Sequence, residues 1–173
     1  LNAAGGEGFA ALHTAVLVGH AGAVSRLIEL RADLETRDKK GRTCLYYAAD
    51  HGRMECLERL INAKAQVDTQ SEDLSQPIHI AAFGGHLACL KRLKRAGADI
   101  HALNQNDDQP IHRAAKHGHA ECLEWLMAVN ADIEAVTKDG DRPISRATKH
   151  GHVECARALI EAGADFRAVT KGN

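Results

Sequence analysis

Aromatic residues are scarce in this chain of 173 residues: 3%, with one Trp, two Tyr and three Phe. A core built here has to come from Ala, Leu, Ile and Val. Neither sign of charge is in excess, because 22 Lys and Arg stand against 23 Asp and Glu, a formal net charge of −1. Such a chain has no global field to hold nucleic acid or an anionic membrane, and no nucleic-acid partner is expected. No apolar run approaches the roughly 18–20 residues of a bilayer-spanning helix, so no membrane insertion is expected. The chain opens without Met and without a signal-peptide pattern. The sequences G-x-S-x-G and H-E-x-x-H and the phosphate-binding loop do not occur. The chain is therefore read as not an enzyme, with no cofactor, no metal and no evident small-molecule substrate. The rest of the composition, 45% hydrophobic and 26% charged, is that of a globular protein.

What is present is a period of 33 residues. Cys56, Cys89, Cys122 and Cys155 are spaced by it, with Cys44 outside the series. Leu12, Leu45, Ile78, Ile111 and Ile144 follow it, as do Gly19, Gly52, Gly85, Gly118 and Gly151. A period of this length marks an array of stacked units rather than a closed globule.

Within a unit, Pro77 suits the first position of a helix, where its fixed φ fits and its missing N–H is not needed. Ile78, Ala81 and Ala82 recur at helical spacing, and Gly85 ends this short helix in a left-handed conformation. A second helix carries Leu90 and Leu93 on one stripe and closes at Gly97. The stretch from Ala98 to about Asp107 has turn chemistry and predicts a hairpin or loop. One helix pair cannot cover its own stripe. Each buried Leu or Ile contributes about 1.5–3 kcal/mol only once the next pair packs against it. The pairs Ala48–Ala49, Ala81–Ala82 and Ala114–Ala115 permit that close approach.

These units resemble ankyrin repeats. The family pattern T-P-L-H-x-A is matched by Ala10–Ala15, Thr43–Ala48, Gln76–Ala81, Gln109–Ala114 and Arg142–Ala147. Gly-His follows at Gly19-His20, Gly85-His86, Gly118-His119 and Gly151-His152, and Gly-Ala-Asp closes two units at Gly97 and Gly163. The resemblance implies an all-α repeat solenoid, with residues 5–37, 38–70, 71–103, 104–136 and 137–169 as five units. Residues 1–4 read as the tail of a preceding unit and 170–173 as the start of a following one. With no polar cap at either end, the chain reads as a piece of a longer array or larger protein.

Departures from the pattern predict local strain. Gln76, Gln109 and Arg142 replace the capping Thr that survives at Thr43. Arg31 and Lys64 stand where glycine would take left-handed angles, at about 1 kcal/mol each, with Asn130 more tolerable. Leu74 and Asp107 replace a hairpin glycine.

Several columns carry chemical potential. The cysteines fall in the apolar stripe of the second helix, where a free thiol behaves as a small hydrophobe. Units about 10 Å apart hold them too far apart for disulfides. A reduced environment follows, the cytoplasm or another reducing compartment. His13, His79 and His112 match the family's motif histidine, which implies a hydrogen-bonding role. His117-Gly118-His119 and His150-Gly151-His152 lack the further ligands of a closed metal site. Asp107-Asp108 reads as a solvated turn. Trp125 shares its column with Arg26, Arg59, Arg92 and Ala158, and is expected partly exposed on the convex side, stacked on the stem of Arg92 or else touching a partner.

The resemblance implies a concave binding face made of first helices and hairpin tips. Spacing of three and four residues places Leu17 and Val18, then Tyr47, Asp50 and His51, then Phe83 on it. The last two units present Arg113, Lys116 and His117, then Arg146, Lys149 and His150. Phe9, Lys39 and Arg42 join from the hairpins. The face grades from apolar to basic, so the expected partner is a protein with an apolar segment near Leu17, Tyr47 and Phe83. An acidic segment is expected over Arg113, Lys116, Arg146 and Lys149. The alternative is a spacer or fixed subunit of a larger assembly, or a fragment whose activity lies in another part of the protein.

Overall fold

A computed structural model describes residues 10–167. Among them are ten helices in five successive pairs: α1 Ala11–Val18 with α2 Ala21–Glu29, α3 Cys44–Asp50 with α4 Met54–Asn62, and α5 Pro77–Phe83 with α6 Leu87–Arg95. The remaining pairs are α7 Pro110–Lys116 with α8 Ala120–Ala128 and α9 Pro143–Lys149 with α10 Val153–Glu161. Each helix packs on its pair-mate, and each first helix packs on the first helix of the next pair. The second helices pack among themselves in the same order. No strand occurs among the described residues. The fold is an all-α repeat solenoid.

The period explains the core. Leu12, Leu45, Ile78, Ile111 and Ile144 form one buried row, and the three Ala pairs between the first helices are fully buried. A second row of Leu60, Leu93, Leu126 and Leu159 is likewise fully buried. All five cysteines are free and buried. Burial pushes the Cys44 thiol up to about 12 and those of Cys89 and Cys122 up to about 11. These are packed thiols with little nucleophilic thiolate.

Local starts follow the sequence, with one device added. Pro77, Pro110 and Pro143 each open a first helix, and Thr43 Oγ1 accepts the Tyr46 N–H at 3.4 Å. Gln76 and Gln109 do not cap with their side chains. Instead, the histidine three residues on turns back, and its Nδ1 accepts the N–H of Gln76 or Gln109 at 3.2 and 3.1 Å. Its Nε2 then donates forward to the next hairpin, to the Ala102 and Asp108 carbonyls from His79 and to the Ala135 carbonyl from His112. Burial pushes His79 down to about 4 and lowers His112 as well, with the carbonyls opposing. Each neutral ring thus ties a helix start to the following unit.

Between pairs, the chain forms hairpins closed by Asp38 N–H to Arg42 O, Ser71 to Ser75, Asn104 to Asp108 and Thr137 to Asp141. Consecutive hairpins are joined by one backbone bond each, Glu72 N–H to Lys40 O, Gln105 to Asp73 and Lys138 to Asn106. The expected left-handed residues are found there and at the helix ends: Arg31 at φ 58°, Lys64 at 72°, Asn130 at 67°, Leu74 at 59° and Asp107 at 57°.

A second histidine column joins neighbours on the other side. His86, His119 and His152 send Nε2 to the carbonyls of Asp50, Phe83 and Lys116 at 2.9, 2.8 and 2.9 Å. Each ring lies over a glycine of the preceding pair. A Cβ at Gly85, where φ is 71°, would meet His119 Nδ1 at 2.5 Å. In the second pair Arg53 takes the histidine's place and reaches the Leu17 carbonyl at 3.2 Å.

Candidate functional site

The first helices and hairpin tips share one face, and the predicted residues divide on it by environment. Phe9 lies outside the described residues. Leu17 is half-buried, and Val18, 70% exposed, opens onto a separate apolar groove of about 590 Å³ with Ala11, Ala15 and Leu27 of α1 and α2. Lys39 is exposed at its hairpin tip.

Tyr47 is not available to a partner. It is only 4% exposed, and its hydroxyl donates to Asp38 Oδ2 at 2.6 Å. Arg42 closes the same cluster: Nε donates to Asp38 Oδ2 at 2.8 Å, and the guanidinium sits 4.8 Å from the Tyr47 ring centre. Despite its burial, the Asp38 carboxyl is held down at about 2 by the Arg42 guanidinium, the Tyr47 hydroxyl and two backbone N–H groups. His51 stacks on Tyr47 and is exposed, with its Nε2 3.9 Å from Asp50.

The basic columns also differ from the expectation. Asp108 is 3% exposed rather than a solvated turn residue, and it faces two guanidiniums, Arg113 Nε and Arg146 Nη2, each at 3.3 Å. Asp141, also buried, meets Arg146 Nε at 3.1 Å and Lys149 Nζ at 2.6 Å. Arg146 itself is 9% exposed. Three of the four cations assigned to an acidic partner segment are therefore already matched inside the protein. The cause is hairpin geometry: the residue that closes each hairpin points under the following first helix, where an acid can reach the helix's guanidinium. Lys116 is half-buried with no acidic partner among the described residues.

His117 packs on Phe83 with ring centres 4.2 Å apart. Burial, then Lys116, Arg113, His119 and His150, pushes it down to about 4, so it is a neutral aromatic surface near pH 7. His150 is exposed, with Nδ1 donating to the Arg146 carbonyl at 3.0 Å.

Among the described residues these placements leave an open site in the middle of the face. A cavity of about 300 Å³ is lined by Tyr46 and Asp50 of α3, Asp73 of a hairpin, Ile80 and Phe83 of α5, and Arg113 of α7. A second cavity, about 310 Å³, adjoins it through Tyr46 and Asp73 and extends to Lys40, Arg42 and Glu72. Phe83 is 37% exposed at the rim of the first. Tyr46 was not predicted to belong here. Its signal was a break in the motif-histidine column: histidine at that position folds inward, whereas tyrosine is too long and opens towards the cavity.

Trp125 is half-buried against the core, as expected. It does not stack on Arg92, whose guanidinium meets Asn62 Oδ1 at 2.9 Å and Glu58 at 3.7 Å. Polar oxygens within reach offer that cation a stronger contact than a ring face.

Among the described residues no three His, Cys, Asp or Glu side chains are grouped to hold a metal ion, and no helix is long and apolar enough to cross a membrane. A search of curated proteins returned no match. The family model for ankyrin repeats (3 copies) matches residues 78–170, and that for ankyrin repeats (many copies) matches residues 12–61 and 45–93. With stacked helix pairs, hairpin ladder and matched residues all following one period, the chain belongs to the ankyrin repeat family.

Proposed function

We propose that this chain is a non-catalytic scaffold that binds a protein partner on the concave face of its first helices and hairpin tips. Ankyrin repeats are in general protein–protein interaction modules without catalysis. The observation that carries the reading is the central cavity, where Phe83 is left partly exposed beside Tyr46 and Ile80, with charged groups at the rim. An aromatic anchor inside a polar rim is the usual make-up of an interface hot spot. Five buried thiols suit a reducing compartment.

The test is photo-crosslinking in the native cell. A benzophenone amino acid placed at Phe83 is expected to give a discrete protein adduct. The same probe at Lys91, on the second-helix side, is expected to give none. Adducts from Lys91 alone would move the site off this face and overturn the proposal.

A further inference from the structure

We propose that the cavity between α3, α5 and α7 receives a lysine or arginine side chain of the protein partner. The proposal deepens the reading above and rests on it. The sequence pointed to an acidic segment; the ion pairs point the other way. Arg42 is spent on Asp38, Arg113 on Asp108, Arg146 on Asp108 and Asp141, and Lys149 on Asp141.

The two carboxylates that line the cavity are not matched in this way. Asp73 is held by the Ser71 and Ser75 hydroxyls at 2.6 and 2.9 Å, which are neutral donors and leave its charge in place. Asp50 has the neighbouring His51 ring at 3.9 Å, beyond hydrogen-bond distance, as its ion-pair contact. Burial alone would raise the Asp73 carboxyl, but hydrogen bonds from Ser71 and Ser75, with a smaller contribution from the Arg113 charge, keep it below the usual carboxylate range.

Tyr46, between these acids, senses the same field. Burial pushes its hydroxyl up to about 12, and Asp73 and Asp50 add to the rise ahead of the opposing Arg42 and Arg113. The rest of the wall is Ile80, Phe83, the Tyr46 ring and Arg113, whose guanidinium is paired with Asp108 at 3.3 Å. A long aliphatic stem with a cationic head matches this combination, the stem against Ile80 and Phe83 and the head between Asp50 and the Tyr46 ring. A carboxylate in the same place would face two acids, neither of which has a Lys or Arg ion-pair partner within 4 Å among the described residues. Lys116 is the one basic residue of the predicted column left for an acidic partner, so it serves as the competing site in the test.

The probe is a displayed library of random twelve-residue peptides, selected on the whole chain in about 0.15 M salt, where loosely exposed pairs are screened. Bound peptides are expected to share a Lys or Arg. Its replacement by Ala, or Asp50→Asn in the protein, is expected to weaken binding about tenfold. Lys116→Glu is expected to leave affinity within about twofold, and circular dichroism confirms that each variant is folded. Peptides that need Phe83 but lack a basic residue, or that are indifferent to Asp50→Asn, overturn the cation site and leave the concave-face reading standing. Acidic peptides lost with Lys116→Glu have the same consequence. A selection in which nothing responds to Phe83→Ala overturns both.

Discussion

Asp108→Asn probes the buried charge array of the first-helix face. The Asp108 side chain is 5% exposed and faces Arg113 and Arg146, themselves 14% and 11% exposed. Removing one member of a buried ion pair costs about 3–5 kcal/mol, because the remaining charge stays desolvated. Here Arg146 keeps Asp141 at 3.1 Å, so the lower end, about 3 kcal/mol, is expected. Asparagine keeps the shape. The backbone bonds of residue 108, N–H to Asn104 Oδ1 at 3.0 Å and carbonyl from His79 at 3.1 Å, do not depend on the charge. The measurement is urea unfolding followed by far-ultraviolet circular dichroism and by fluorescence of Trp125, which lies in α8, immediately after the affected helix. Coincidence of the two probes establishes that a single free energy is defined, which repeat arrays do not guarantee. A double-mutant cycle with Arg146→Met then isolates the pair, with a coupling above about 1.5 kcal/mol expected. A loss under about 1 kcal/mol for Asp108→Asn, together with coupling under about 0.5 kcal/mol, would refute the claim that these charges are locked together.

Three further outcomes are expected. Gly85→Ala and Gly151→Ala impose the same left-handed penalty, at φ 71° and 74°, but only the first adds a Cβ against His119; it is expected to cost about 1–2 kcal/mol more in urea unfolding. Lys64→Gly, at φ 72°, is expected to stabilise the array by about 1 kcal/mol, and Asn130→Gly by less, both read as shifts in melting temperature. Stability is expected to fall as pH is lowered from 6.5 to about 4, because the unfolded chain binds a proton in that window that folded His79 does not. The His79 contribution is up to about 3 kcal/mol, and His79→Gln is expected to flatten the slope; an unchanged slope would show that the buried ring is not responsible.

The repeat made the fold readable. A residue that recurs every 33 positions meets the same neighbour each time, so the row from Leu12 to Ile144 and the left-handed Lys64 could be placed without coordinates. The site was less readable because its chemistry changes from unit to unit. The position of Asp108 is Ser75 one unit earlier and Arg42 before that, so no column announces an acid. Its contact with Arg146 spans 38 residues and passes over α7 to α9, the first helix of the following unit. A faint signal did exist: Asp108 with Arg113 and Asp141 with Arg146 share an offset of five residues in consecutive units. The histidines at 86, 119 and 152 stood out as a column, but spacing could not say that each ring reaches a carbonyl 36 residues back.

The exchange of histidine for Arg53 in that column has a mechanical consequence. Three successive joints carry a histidine bond with only two rotatable side-chain torsions, whereas at the joint between α1–α2 and α3–α4 the same place is taken by the longer, exposed Arg53 side chain. Bending of the rod should therefore concentrate at that first joint. The later pairs, which hold the Phe83 cavity, would then move together as one lever.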